Sequence, residues 1–470
     1  MNKRLSVPLL LFLFLFAGVL SSCSQDAPTL ATSKIGNITR DAFYDWLEAK
    51  KVAKDTILDS KEKQISLLEK MALELFVVDK VRAEGFDRSR RLIAKKEQLK
   101  EKVLRKYFIR TLSDMASYDE PAIRVSYILL ALNLYKEDPA DNTKKIRMET
   151  HEVTEKLNAL TSKAKEIIER LEEKEPFEKL ATEYSDDTTK KNGGELGYIT
   201  KSMMPAYFSD PAFNLEAGEY TKTPVMTPKG IYIIKVSEIV KLTEQNIDEI
   251  IEDKNQRDRT KVFLINQYRS EYLSRLMNAD DVEFLIKEGE TYTDTDTFFK
   301  VGTKEYMQGD IEKIFENRST PEELEKYYKN GVLPEKTKFI IAKQLFSYLV
   351  WSREAIRLGV EKKPEYQKEL METEINLMMA EYLNAKLSNE IILSDQEIRE
   401  EYESEKGSKY SEKRIKNGVV VNEPLPFEVV KDEVVEDLKE KTGRKLALEW
   451  RKQLFINYNF SINETELAGS

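Results

Sequence analysis

Residues 227–236 read TPKGIYIIKV. Pro228-Lys229-Gly230 is turn chemistry, and the run from Ile231 to Val236 is almost wholly β-branched or aromatic, so the stretch reads as a strand entered through a glycine turn. It closes a segment unlike the rest of the chain. RVSYILLAL (124–132) reads as an opening strand. Residues 142–173 form a charged helical stretch, and PFEKLATEYS (176–185) is a short helix with Phe177, Leu180, Ala181 and Tyr184 on one face. KNGGELGYI (191–199) is a glycine turn running into a strand, and AYFSDPAFNL (206–215) is another short helix. The resulting order, β-α-α-β-α-β-β, predicts a compact α+β domain over 121–239.

Around this segment the chain is helical. In SKIGNITRDAFYDWLEAKK a strand-like KIG and a turn at Asn37 precede a helix starting near Thr39. Leu68, Met71, Ala72, Leu75 and Val78 then recur at helical spacing, Gly85-Phe86 stops that helix, and another covers roughly 88–114. The same syntax returns in TFFKVGTKEYMQGDIEKIFENR (297–318) and KFIIAKQLFSYLVWSREAIRLGV (338–360). Tyr382 lies 23 residues past Gly359, and Tyr107 lies 22 past Gly85. This is an internal repeat. The tail from Phe427 to Tyr458 is helical, with Val430, Val434, Leu438, Trp450 and Leu454 as buried positions. The expected layout is a helical segment at 34–120, the α+β domain at 121–239, and a second helical segment at 240–470 containing the repeat.

The N-terminus is a targeting segment. Lys3 and Arg4 precede the apolar run SVPLLLFLFLFAGVL (6–20), whose fifteen residues rise about 22 Å as a helix, short of the ~30 Å hydrocarbon core. It is therefore a signal h-region and not a span. It ends in Leu20-Ser21-Ser22-Cys23, a lipobox-like sequence, so residues 1–22 read as a lipoprotein signal peptide and Cys23 as the lipidation site. Residues 23–33 read as a tether. Cys23 is the only cysteine, which leaves no disulfide for an exported chain. The net charge of −9 with both signs interspersed carries no basic stripe, which excludes nucleic acid as a partner.

The segment 121–239 resembles a parvulin-type (PpiC or rotamase) peptidyl-prolyl isomerase domain. The resemblance rests on RVSYILL, PFEKLATEYSDD, NGGELGYI, MMPAYFSDPAFNLEAGE and TPVMTPKGIYIIKV in this order, about a quarter of the chain. The flanking helices resemble those of SurA/PrsA-type exported chaperones, in which segments on both sides of the parvulin insert build one helical domain. The second repeat resembles such a flanking unit from which a parvulin insert is missing. The implied fold class is a multidomain α+β protein, a mostly helical chaperone domain with an inserted four-stranded antiparallel sheet. The resemblance places a proline-binding pocket at Leu196, Met204 and Phe208. It places Asp187 at the family's cysteine-or-aspartate position and Thr227 at a polar position near the closing strand. Where the family carries a histidine in the opening strand this chain has Tyr127, and where it carries one in the closing strand this chain has Tyr232. A tyrosine hydroxyl also donates and accepts, and stays neutral at pH 7. Two roles stay open for the pair: a substitute hydrogen-bonding network, or core filling in a site that no longer isomerises.

Other chemistry fails on inspection. His151 is the only histidine and sits in a charged helix, so no Ser-His-Asp or Cys-His set assembles. GGELG lacks the Lys-Ser/Thr of a phosphate loop, and DTDTDTF near 294 lacks the glycine and distal glutamate of a calcium loop. No metal or cofactor is expected. The implied function is a lipid-anchored extracytoplasmic chaperone, periplasm-facing or on the cell surface, whose parvulin domain acts on X–Pro bonds of unfolded exported or outer-membrane proteins. The alternatives are a catalytically inactive parvulin-fold chaperone or assembly scaffold, and a surface lipoprotein with one folded partner. The sequence leaves the oligomeric state open.

Overall fold

The computed structural model describes residues 28–467 apart from 51, 54–59, 139–140, 388–389 and 417–418. The signal segment and Cys23 lie outside the described residues. The chain divides into two compact units: residues 109–277, and the residues before and after them.

The outer unit begins with strands β1 (Thr29–Ser33) and β2 (Gly36–Thr39), helix α1 (Arg40–Ala49), helix α2 (Lys61–Ala83) and helix α3 (Arg90–Asp114), whose last turns belong to the inner unit. Thr39 caps α1 by accepting from the Ala42 N–H at 3.3 Å, and Ser60 caps α2 through the Lys63 N–H at 3.3 Å. Thr29–Ser33, expected to end a tether, is instead a strand with Leu30 and Ala31 in the core. TLATS is small and polar to the eye, but it gains a ladder on both sides.

The inner unit holds β3 (Asp119–Ala131), β4 (Tyr135–Asp138), β5 (Asp141–Arg147), α4 (Thr150–Glu172), α5 (Phe177–Tyr184), β6 (Glu195–Thr200), α6 (Ala206–Phe213), β7 (Val225–Thr227), β8 (Gly230–Thr243), α7 (Ile247–Ile250) and α8 (Lys254–Met277). Its antiparallel sheet has the order β6-β3-β8-β7. The helical stretch expected from 142 starts only at Thr150, because Asp141–Arg147 pairs with β4 as a separate hairpin. One sheet face packs Ile128, Leu130, Ile231 and Ile233 against α4 and α5. The other carries Ile123, Val125, Tyr127, Leu129, Tyr232, Ile234 and Val236 against Phe208 and Ala212 of α6. The unit is wider than 121–239. β8 continues to Thr243, and α7 and α8 bury Ile247, Ile251 and Leu264 with Ala122, Tyr198 and Leu242 of the sheet.

The outer unit resumes with β9 (Val282–Phe284), β10 (Thr297–Val301), β11 (Lys304–Met307), α9 (Gln308–Arg318), α10 (Pro321–Tyr327), α11 (Glu335–Arg357), α12 (Pro364–Leu387), α13 (Asp395–Glu405), β12 (Ser411–Lys416), β13 (Val419–Pro424), α14 (Phe427–Asn457) and β14 (Ser461–Ile462). The repeat is present in three dimensions. β1–β2 and β10–β11 each slip register at the same place, between Thr29 and Ala31 and between Thr297 and Phe299. Gly85 and Gly359, both at φ 68°, stop the corresponding helices α2 and α11 in the left-handed conformation that favours glycine. Where the first repeat carries the parvulin segment, the second carries the small α13–β12–β13 insert, packed on α14 through Ile398, Tyr410, Val430 and Val434.

The third strand of each small sheet comes from an unexpected place. β9 pairs with β10, whereas β14 returns from the C-terminus to pair with β1. Phe76 of α2 stacks on Tyr458 at 4.5 Å, which seals the first repeat with the residue that caps the C-terminus of α14. The equivalent third helices α3 and α12 are joined by charge: Arg91 Nε lies 2.6 Å from the buried Glu381, Lys95 shares that carboxylate, and Lys106 meets Glu369 at 2.6 Å.

Candidate active site

The site forms on the sheet face that meets α6. Register places Leu129 opposite Tyr232 and Tyr127 opposite Ile234, so the two tyrosines are diagonal neighbours on one face. Their ring centroids are 5.3 Å apart, and Phe208 meets Tyr127 edge-on at 5.8 Å and Tyr232 edge-on at 5.3 Å. Exposures of 7% for Tyr127, 6% for Tyr232 and 1% for Phe208 make this three-ring cluster the floor. Leu196, Met203, Met204 and Val225, half-buried, pack against the apolar cluster that contains these rings. Tyr207, 39% exposed, and Met226, 57% exposed, are apolar surface nearby in sequence.

The polar edge is built by SDDTT (185–189) after α5. Leu129 N–H donates to Ser185 Oγ at 3.1 Å, and Ala131 N–H donates to an Asp186 carboxylate oxygen at 2.8 Å, so these two residues lash the loop to β3. Asp187 is thereby turned toward the rings, with its carboxylate accepting from the Thr189 N–H at 2.9 Å. Burial opposes its ionisation, but the Thr189 N–H, the Tyr127 hydroxyl and the charge of Lys229 outweigh it and hold the carboxyl below its ordinary range. Burial, reinforced by Asp187, pushes both tyrosine hydroxyls up. Both are neutral phenols at pH 7.

Of the residues singled out in the sequence, Tyr127, Tyr232, Phe208, Leu196, Met204 and Asp187 are brought together. Thr227 is occupied elsewhere: its hydroxyl donates to Gly230 C=O at 3.0 Å and accepts from Lys229 N–H at 3.1 Å, tying the β7–β8 turn. Thr189 was missed. Its side chain lies beside Tyr127 and Asp187. Its place two residues after an Asp, the register of an Asx turn, was the available signal. Lys229, whose charge reaches Asp187, was legible only as a turn residue.

Among the described residues no group of His, Cys, Asp and Glu could hold a metal, and no helix is long and apolar enough to cross a membrane. In the outer unit a cleft of about 820 Å³ is lined by Phe339, Ile340, Tyr348 and Trp351 of α11, with Arg105 and Lys343 among its charged lining.

A buried aromatic floor, half-buried apolar side chains and one oriented carboxylate lie together on one side of the four-stranded sheet. Residues 107–239 match the PPIC-type PPIase domain family. The chain is 26% identical over 305 residues to the foldase protein PrsA of Oceanobacillus iheyensis, covering 62% of this chain and 95% of that one. It is 31% identical over 231 residues to the foldase protein PrsA of Geobacillus kaustophilus, covering 47% of this chain and 74% of that one. The chaperone SurA of Alcanivorax borkumensis is 33% identical over 107 residues, 23% of this chain and 24% of that one. The chain therefore belongs to the PrsA foldase family of SurA/PrsA-type chaperones with a parvulin domain. It is a folding chaperone with a peptidyl-prolyl cis-trans isomerase domain.

Proposed function

We propose that the chain is a lipid-anchored extracytoplasmic foldase that accelerates X–Pro isomerisation in unfolded exported proteins, with the Tyr127–Tyr232 pair in place of two histidines. The observation that carries the reading is the convergence of Asp187 and both neutral phenols on one buried aromatic floor. An X–Pro bond faces a barrier of ~20 kcal/mol, and no covalent bond breaks, so the site must bind the twisted amide better than the planar one. Twisting removes charge from the carbonyl oxygen and localises the nitrogen lone pair. A fixed carboxylate disfavours the charge-separated planar form, and a phenol O–H can meet the lone pair. The proline ring would rest on Phe208 between Leu196 and Met204, with water excluded.

The aromatic cleft of the outer unit would hold apolar segments of the same clients. Attachment would run through Cys23; one acyl chain binds a membrane only marginally, whereas two or more anchor it. The near-complete burial of the three rings favours one second reading, a holding surface that grips proline segments without turnover. Peptide binding by the unlipidated protein with and without catalysed exchange separates the two: catalysed exchange supports the isomerase, and binding alone supports the holding surface.

A further inference from the structure

Strand β6 carries Leu196 at its start and runs into the turn that leads to Met204, so its placement sets both walls of the pocket. Its pairing with β3 is irregular at that point. Val125 faces Gly197 and Ser126 faces Glu195, which leaves Leu196 as the extra residue of a bulge. A bulge frees backbone groups from the ladder, and such groups need another partner when shielded from water.

The partner comes from α8, outside the residues matched to the isomerase family. Gln256 Nε2 donates to the Leu196 carbonyl at 3.0 Å. Gly197, at φ +91°, admits this contact: a Cβ there would lie 1.8 Å from the same Nε2, so any side chain would evict the amide. Three turns further along α8, Gln267 Oε1 accepts from Ser202 Oγ at 2.7 Å, two residues before Met204. Gln256, Thr260, Leu264 and Gln267 recur as i, i+4, i+8 and i+11, a single stripe. Between the two glutamines the stripe is dry, with Thr260 1% and Leu264 2% exposed and Leu264 packed with Tyr198 of β6.

We propose that Gln256 and Gln267 are positioning residues of the isomerase site, a two-point clamp through which α8 holds the Leu196 bulge and the turn before Met204 in pocket geometry. The proposal rests on the reading of Leu196 and Met204 as pocket walls. It makes α8 part of the working isomerase. Positioning of this kind tightens peptide binding through groups that never touch the peptide.

The test uses the whole chain and an Ala-Pro peptide. Gln256→Glu keeps size and removes the donor, Gln256→Met removes the polarity, Gln267→Met opens the other end, and Thr260→Ala changes the stripe at a residue whose hydroxyl has no partner among the described residues. Both Gln256 variants should shift the Leu196 and Gly197 amide resonances and the Met204 methyl resonance. They should raise the peptide KM, or Kd where turnover is absent, about tenfold, the worth of one hydrogen bond, with kcat changing less. Gln267→Met should shift Met204 and weaken binding by a smaller factor, and Thr260→Ala should leave affinity intact. Unmoved resonances and affinity in both Gln256 variants, with only the melting temperature lowered, would overturn the clamp. A parent chain that binds no proline peptide would overturn the pocket reading instead, and the Leu196 and Met204 resonances would still decide whether α8 positions them.

Discussion

Tyr127→Phe removes one oxygen and leaves the three-ring floor in place, since the contacts with Phe208 and Tyr232 are made by ring faces and edges. What it takes away is the hydroxyl that helps hold Asp187 ionised. A hydrogen bond to a charged group is worth roughly 1.5–3 kcal/mol; Asp187 is half-exposed and can recruit water, so about 1 kcal/mol is the reasonable discount. Without that hydroxyl the Asp187 carboxyl should rise toward its ordinary range. The sign for stability follows. Asp187 has a depressed folded pKa, so its contribution is full above the unfolded value of about 3.9 and fades as pH falls through the folded value. The variant's deficit should therefore be largest at neutral pH and shrink in acid. Carboxyl-carbon NMR of Asp187 across pH 2–6, beside peptide exchange at pH 7, reads both effects, with turnover expected to fall several-fold and the melting temperature to move little. An Asp187 titration curve that superimposes on the parent's, with full turnover, would refute the coupling of Tyr127 to Asp187.

Restoring the family's histidines, Tyr127→His with Tyr232→His, should give catalysed exchange at least equal to the parent, because the walls and Asp187 stay; a dead double variant with intact peptide binding would show that the pocket has been rebuilt around phenols. Glu381→Gln should cost the outer unit roughly 1–3 kcal/mol, below the 3–5 kcal/mol of a fully buried pair because Arg91 and Lys95 are partly exposed. Burial raises the Glu381 carboxyl, yet Arg91 and Lys95 win and depress it, so the loss should be greatest at neutral pH and narrow below the unfolded pKa of about 4.3, as read by urea titration at pH 7 and pH 4. Cys23→Ser should release the protein from the membrane fraction and abolish fatty-acid labelling; continued labelling would remove Cys23 as the anchor.

Much of this molecule was legible in its sequence where the pattern was local. The glycine-entered strand at 230, the helical periods of α2, α11 and α14, and the Gly85/Gly359 stops all announce themselves within a few residues. The aromatic floor was legible through resemblance, because Tyr127 and Tyr232 sit at fixed offsets in strands whose register the hydrophobic pattern determines. What could not be read depends on partners outside the segment itself. TLATS is a strand held between its neighbour β2 and residues 461–462, which arrive more than 420 positions later in the chain. DNTKKIR lacks the β-branched alternation of a strand and is held by its hairpin partner. Helix α8 is held in the inner unit by buried Leu264 and by a side chain reaching a bulged backbone carbonyl, and the second contact leaves no trace in hydropathy. Thr227 looked like a site residue, but its hydroxyl is engaged by the backbone of its own turn.

The central claim is that this pocket isomerises X–Pro bonds with tyrosines where histidines are usual. Protease-free fluorescence measurement of cis–trans exchange on Ala-Pro and Glu-Pro peptides, using the unlipidated protein beside Asp187→Ala and Met204→Ala, tests it most directly. Catalysed exchange that falls in both variants is the expected result. Absence of exchange in the parent, with binding to unfolded client intact, would contradict it and make the parvulin domain a holding surface.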